Sequence, residues 1–307
     1  MLSANRKLNA GRYRVSIFQK VFADPMILIG AGILLFMILL VIFGPVLVPN
    51  DPLTVNMAER LAPPSAQYPL GTDHMGRCLF SRLVAGAETT LGIAGMVIII
   101  VMLIGIPLGV LSGYAGGRTD QFIMRTVDGL SILPDFMLVI AISGFLGPSL
   151  SNMIIAIVLI NWTGYARIVR GIVLSEKEKD YIAAARVAGS GPFIIMFRHL
   201  LPSVMPQVLI YAALDIGKTI LVISSLSYLG LGAQPPSPEW GAMLNDGRSY
   251  FQSVPELMIY PGVAIMLVVV AFNLIGEGLG DILNPRSMQH KPNRRGIFRR
   301  VFTRSRS

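Results

Sequence analysis

Charge is scarce in this chain of 307 residues: Asp, Glu, Lys and Arg together make up 14%, against about 25% in an ordinary soluble domain. Cysteine occurs once, at Cys78, so no internal disulfide can form and the redox compartment is left undetermined. Histidine occurs three times, and no Cys/His grouping has the spacing of a structural zinc site. There is no HExxH and no GxSxG, and "GEGLG" at 276–280 lacks the spacing of a dinucleotide loop. "GKT" at Gly217 to Thr219 resembles the tail of a phosphate-binding loop, but the required glycine five positions earlier is Ala212. Without an acid, base and nucleophile set the chain does not read as an enzyme, and no nucleotide site is expected on it.

What the chain has in quantity is apolar sequence: 53% of residues are hydrophobic and the mean hydropathy is +0.63. Six runs approach the roughly 20 residues needed to cross hydrocarbon as a helix. They lie at 26–48, 91–112, 130–146, 150–170, 205–229 and 257–279. Continuous runs of this length exclude a barrel, whose strands alternate. An all-α membrane protein of six spans is expected. The first run follows Arg6, Lys7, Arg12, Arg14 and Lys20, like the start of a secretory signal, but it is too long for a cleavable one and reads as a retained anchor.

Of 26 Lys and Arg, only Arg60, Arg77, Arg82 and Arg248 fall in one alternate set of loops, and Lys218 falls inside a span. The rest cluster in the N-terminal segment, the 113–129 and 167–203 loops, and the tail. Basic loops resist translocation, so both termini are expected in the cytoplasm. The net charge of +9 then reports topology and contact with anionic lipid, and no nucleic-acid partner is inferred. In the tail, Ile297, Phe298, Val301 and Phe302 alternate with Arg294, Arg295, Arg299 and Arg300. That spacing suits either a short helix on the inner leaflet or a disordered basic anchor.

One polar stretch interrupts the apolar sequence, "SEKEKDYIAAARVAG" at Ser175 to Gly189. Its alanines favour helix, and Gly189 and Gly191 supply a stop. "PFIIMFRHLLP", ending at Pro202, then predicts a second short element outside the bilayer. The pattern Tyr181, Ala183-Ala184-Ala185, Arg186, Gly189, then His199 to Pro202 resembles the EAA loop of importer-type ABC permeases, with Ala183 where that family usually has glutamate. The wider match is to the dipeptide, oligopeptide and nickel permease family. It includes "PLGTDHMGRCLFSRL" (69–83), where Cys78 replaces a common aspartate, and "GGRTDQFIMRTVDGLSILP" (116–134). It continues in "LSYLGLGAQPPSPEWGAMLNDGRSYF" (226–251) and "AFNLIGEGLGDILNP" (271–285).

The resemblance implies a type I ABC importer transmembrane domain in a bacterial inner membrane, with residues 173–203 as the loop that couples it to an ATPase. It implies four companions: a second, homologous permease subunit, two ATP-binding cassette subunits carrying ATP and Mg, and an extracytoplasmic solute-binding protein. The chain itself is expected to bind no cofactor. Its organisation then reads as a cytoplasmic segment 1–25, an anchor 26–48, an outer loop 49–86, a core of five helices over 87–284 and a basic tail 285–307.

Several charged groups sit where a path could run. Asp215 and Lys218, three residues apart on one helix face, predict an ion pair that is either structural or path-lining. Each alone would cost roughly 2.5–3.5 kcal/mol at the bilayer centre. Asp128, Pro134 and Asp135 read as helix-end caps or as the cytoplasmic mouth of the third span. Gly113, Gly116 and Gly117 predict a tight turn beside Arg118 and Asp120. Trp162, Tyr165, Trp240 and Tyr250 are expected as interface anchors or outer-loop packing. His74, Met75 and Cys78 offer nitrogen and sulfur, yet three residues in one loop make a poor metal site. "WTGYARIVRG" and "LDIG" lean toward the nickel branch over the peptide branch. A gradient-driven carrier and a membrane scaffold remain as other readings, neither of which needs the "AAARVAG" loop.

Overall fold

Asp24 begins the first helix: its carboxylate accepts the Met26 and Ile27 N–H groups at 2.9 and 3.2 Å, two of the donors that a helix start leaves open. In the computed structural model, residues 19, 21–48 and 50–283 are described. The expected basic N-terminal segment and the amphipathic reading of the tail lie outside them. Among the described residues ten α-helices are taken in order: α1 (Pro25–Leu47), α2 (Leu79–Ala115), α3 (Gly117–Leu130), α4 (Asp135–Leu146), α5 (Leu150–Glu176), α6 (Asp180–Val187), α7 (Pro192–Ile194), α8 (Leu201–Tyr228), α9 (Trp240–Gly247) and α10 (Glu256–Leu283).

Among the described residues five helical stretches are long and apolar enough to cross a membrane, and a sixth exists if the bent pair α3 and α4 counts as one span. The expected straight span 130–146 is therefore corrected. Its helix α4 has only 12 residues, about 18 Å at 1.5 Å per residue, and meets α3 at 80°. The 113–129 segment, expected as a loop, is mostly helix α3, which buries Ile123 and Val127 against Ala166 of α5. Helix α2 also begins twelve residues earlier than its apolar run. Ser81, Arg82 and Glu88 dilute the apolar pattern there, but Arg82 is buried and neutralised by Asp73 and by Asp246, the latter distant in sequence.

The second short element expected outside the bilayer is instead the start of the next span. Helix α7 passes through a π-helical turn, Ile195–Leu200, directly into α8. Pro202 has no N–H to give, and the wider turn just before it absorbs the missing bond.

The most extensive helix pairing is α2 against α5, and it depends on small residues. Gly105, Gly109 and Gly113 form one stripe on α2. A Cβ at Gly105 would stand 2.6 Å from the Tyr165 Cβ, at Gly109 2.7 Å from the Ala166 carbonyl, and at Gly113 2.8 Å from the Val173 Cβ. Between membrane helices the hydrophobic drive is weak, so such close backbone approach supplies the packing energy. Helix α1 lies on the outside of the bundle, where Gly30 fits beneath the Ala271 carbonyl of α10 and many of its apolar side chains stay exposed.

Candidate functional site

Helix α6 is short, and its charges suit its dipole, with Asp180 in the first turn and Arg186 in the last. Ile182 is 0% exposed and, with Ala185, seats the helix on the bundle, while Tyr181, Ala183, Ala184 and Val187 face outward. At its end the Ser190 N–H reaches the Ala185 carbonyl at 3.0 Å and the Gly189 N–H reaches that of Arg186 at 3.0 Å, a pairing that requires a left-handed residue. Gly189 supplies it at φ +79. Gly191 instead precedes α7 in extended backbone.

Arg186 lies 5.8 Å from the Tyr114 ring centroid at the end of α2, a cation–π contact. The Tyr181 hydroxyl donates to Glu176 at 2.8 Å. Burial raises the Tyr181 hydroxyl's pKa, and Glu176 adds to the effect. A hydrogen bond to the same carboxylate holds the Lys179 ammonium above its ordinary value. His199 is half-buried in the π-helical turn and Pro202 is exposed just beyond it.

Beneath α6 the chain is tied by a network that sequence reasoning missed. Arg170 of α5 grips Asp120 of α3 with two bonds, 2.6 and 2.7 Å, a geometry that fixes orientation as well as distance. Asp120 also accepts the Ser112 hydroxyl, and Lys177 donates to the Gly113 carbonyl at 3.0 Å. Gly116 and Gly117 adopt positive φ and make the expected turn, whereas Gly113 lies inside α2 against Val173. The partners lie 50 residues apart, and no local pattern connects them.

Within the bundle the expected Asp215–Lys218 pair is replaced. Lys218 reaches Asp135 of α4, with Nζ and Oδ2 3.6 Å apart, and the two side chains are 57% and 49% exposed. Asp215, three residues before Lys218, is buried on the adjoining face of the helix. Tyr165, expected as an interface anchor, is 1% exposed in the core and meets Tyr211 edge-on with ring centroids 4.8 Å apart. Its hydroxyl lies toward Asp215 without a well-formed hydrogen bond. Asp128 pairs loosely with Arg167 of α5 at 3.6 Å, and the Arg167 guanidinium donates to the Ser131 hydroxyl at 3.1 Å. Pro134 stands immediately before α4 and Asp135 is its first residue. Thus Asp135 and Lys218 come together, Asp128 pairs with Arg167, and Asp215 stays buried beside the first pair.

At the opposite end of the bundle, Asp73, Arg77 and Arg82 are buried together. Arg77 Nε stands 2.6 Å from Asp73 Oδ2, and the two guanidinium groups share Asp246 of α9 at 3.2 and 3.3 Å. Two cations and two carboxylates compensate one another, three of them buried and Asp246 partly exposed, as buried charge requires. Glu239 is also buried there, accepting the Gly241 and Ala242 N–H groups at 2.9 Å each and the Thr90 hydroxyl at 3.4 Å. Burial pushes its carboxyl above the usual range, against the pull of those donors. Trp240 is likewise core, its indole N–H donating to the Leu83 carbonyl at 2.9 Å. His74 stacks on Tyr250 at 5.6 Å, and Cys78 is buried at the start of α2. Among the described residues no group of three or more His, Cys, Asp or Glu could hold a metal ion.

Residues 105–289 match the family described as binding-protein-dependent transport system inner membrane component. Residues 13–64 match the N-terminal TM domain of oligopeptide transport permease C. The chain is 41% identical over 237 residues to the nickel transport system permease protein NikC of Escherichia coli (strain K12), covering 77% of this chain and 86% of that one. It is 40% identical over 265 residues to the probable D,D-dipeptide transport system permease protein DdpC of the same strain, covering 86% and 89%. It is 39% identical over 269 residues to the dipeptide transport system permease protein DppC of Alkalihalophilus pseudofirmus, covering 88% of each. Among solved structures, an inward-facing MetNI methionine ABC transporter aligns with a TM-score of 0.53 at 19% identity, over 65% of this chain and 95% of that one.

Proposed function

Because the chain belongs to the family of binding-protein-dependent transport system inner membrane components and is the permease subunit of an ABC-type importer, we propose that it forms half of a translocation path for nickel, a metal chelate or short peptides. The names of its relatives, a nickel and two dipeptide permeases, support that cargo range. On this reading the membrane is a bacterial cytoplasmic one, crossed six times with both termini inside, as the distribution of Lys and Arg favours. A second permease chain completes the path. Two ATPase subunits carry ATP and Mg, and an extracytoplasmic solute-binding protein delivers cargo to the end that holds Asp73 and Asp246.

Helix α6 carries the reading. A partner that burns ATP outside the bilayer must move the spans through something rigid and accessible. Ile182 seats α6 in the core and the Arg186–Tyr114 contact ties it to α2, and the Asp120–Arg170 grip stiffens the adjoining helix ends. Its outward face of Tyr181, Ala183, Ala184 and Val187 is left for the ATPase. Alanine in place of the family's glutamate removes an ionic contact there and leaves shape complementarity to do the docking. Motion at α6 then passes along α5, whose close fit to α2 makes the pair move together.

The test is reconstitution of the chain with its companions in proteoliposomes. ATP-dependent uptake of Ni2+ or of a dipeptide is expected, lost when the ATPase cannot hydrolyse ATP. Uptake that ignores nucleotide and follows an ion gradient would instead make the chain a secondary carrier, and no uptake under either drive would make it a scaffold.

A further inference from the structure

Helices α4 and α8 present charge where hydrocarbon cannot lie. Lys218 is about 15 Å along α8 from its end at Tyr228, deep in a span, and it and Asp135 are half-exposed in the single chain. The break between α3 and α4 lies beside them, with Ile132 80% exposed. Charged groups and non-helical backbone at this depth are tolerated only against protein or a water-filled cavity, so this face is a wall of the path and not a lipid surface. Behind the wall, Asp215 is buried less than one turn from Lys218, and Tyr165, fully buried, aims a hydroxyl toward it that no well-formed hydrogen bond satisfies.

Resting on the path assigned above, we propose that Asp135, Asp215 and Lys218 form a cation-exchange station, in which Lys218 is a built-in counter-ion that yields Asp135 to the positive group of a passing solute, an ammonium or a hydrated divalent cation. Three observations support exchange over a fixed bridge. The 3.6 Å separation is too long for a hydrogen bond. Half-exposed pairs bind weakly, so an arriving cation competes at little cost. Asp215, three residues before Lys218 on the same helix, offers the ammonium a second carboxylate once it swings away. The Tyr165 hydroxyl is positioned to donate to Asp215 while the exchange takes place. An anionic solute meets the same wall as a barrier.

The experiment uses the complete importer in proteoliposomes with Ile132→Cys as reporter and Leu133→Cys as a second. Cationic and anionic methanethiosulfonate reagents of similar size are applied, and modification of this chain at that residue is read by mass. The cationic reagent is expected to react faster. A unit charge at roughly 8 Å in water changes each reagent's local concentration about twofold, so Asp135→Asn should lower the cation-to-anion ratio about fourfold. Lys218→Met should raise it by a similar factor, and the double swap Asp135→Lys with Lys218→Asp should return it toward the starting value. A ratio near one that neither substitution moves overturns the proposal, as does a reporter that neither reagent reaches. ATP-dependent uptake on the same vesicles tests the importer reading separately: intact uptake with a charge-blind reporter sinks only the exchange station.

Discussion

Replacing Gly109 by alanine adds one carbon where α2 and α5 lie in close contact. That carbon would sit 2.7 Å from the Ala166 carbonyl and 2.7 Å from the Val169 Cβ. Ordinary contact needs at least 3.4 Å, so the helices must separate by roughly 0.7 Å, and neither neighbour is a flexible chain end that could turn aside. Overpacking of this kind costs about 1–3 kcal/mol. Gly92 supplies the control, because it lies on the same helix with nothing within 4 Å of the added carbon. Alanine there is expected to be neutral or to gain up to about 1 kcal/mol of helix propensity. Thermal unfolding in detergent compares the two, and ATP-driven uptake follows the same pair, since α5 carries Arg170 and leads into α6. A Gly109→Ala protein that melts with the Gly92→Ala protein and transports normally would refute the argument that close α2–α5 contact holds the bundle together.

Gly189→Ala meets no neighbour but forces a left-handed conformation on a residue with a Cβ, costing about 1 kcal/mol; uptake should fall while membrane insertion persists, and normal uptake would argue against a rigid α6. Ile182→Ala empties a fully buried seat and should cost about 2–5 kcal/mol, loosening α6 enough to raise its protease sensitivity in the assembled importer; an unchanged digestion pattern would count against it. Asp246→Asn leaves Arg77 and Arg82 short of a carboxylate and should destabilise by about 3–5 kcal/mol, visible as a lower melting temperature that Arg82→Leu in the same chain partly restores. For Glu239 the folded value lies above the ordinary 4.5, so ionisation opposes folding. Its contribution is complete below 4.5 and is lost as pH rises toward the elevated value. Melting temperature should therefore fall over that rise in the native chain and less so in Glu239→Gln; parallel curves would show that Glu239 is not responsible.

Sequence by itself determined the class of molecule, because hydrocarbon imposes a rule that can be read one stretch at a time: about 20 apolar residues, with every backbone group bonded internally. It also placed α6 and its glycine stop, since alanine favours helix and φ +79 favours glycine through local energetics alone. The Gly105, Gly109 and Gly113 spacing was equally open to inspection, as a stripe repeating every four residues. Only the tertiary structure decided which charges meet. Lys218 chose Asp135 across two helices over Asp215 on its own, and Asp120 took Arg170 from 50 residues away. Arg82 could enter a helix start because Asp246 waits in α9. The 80° bend that shortens the expected third span belongs to the same kind. Helix periodicity fixes a side chain's direction from its own axis, but the partner it finds depends on where other axes run. Those axes are set by how closely backbones without side chains can approach.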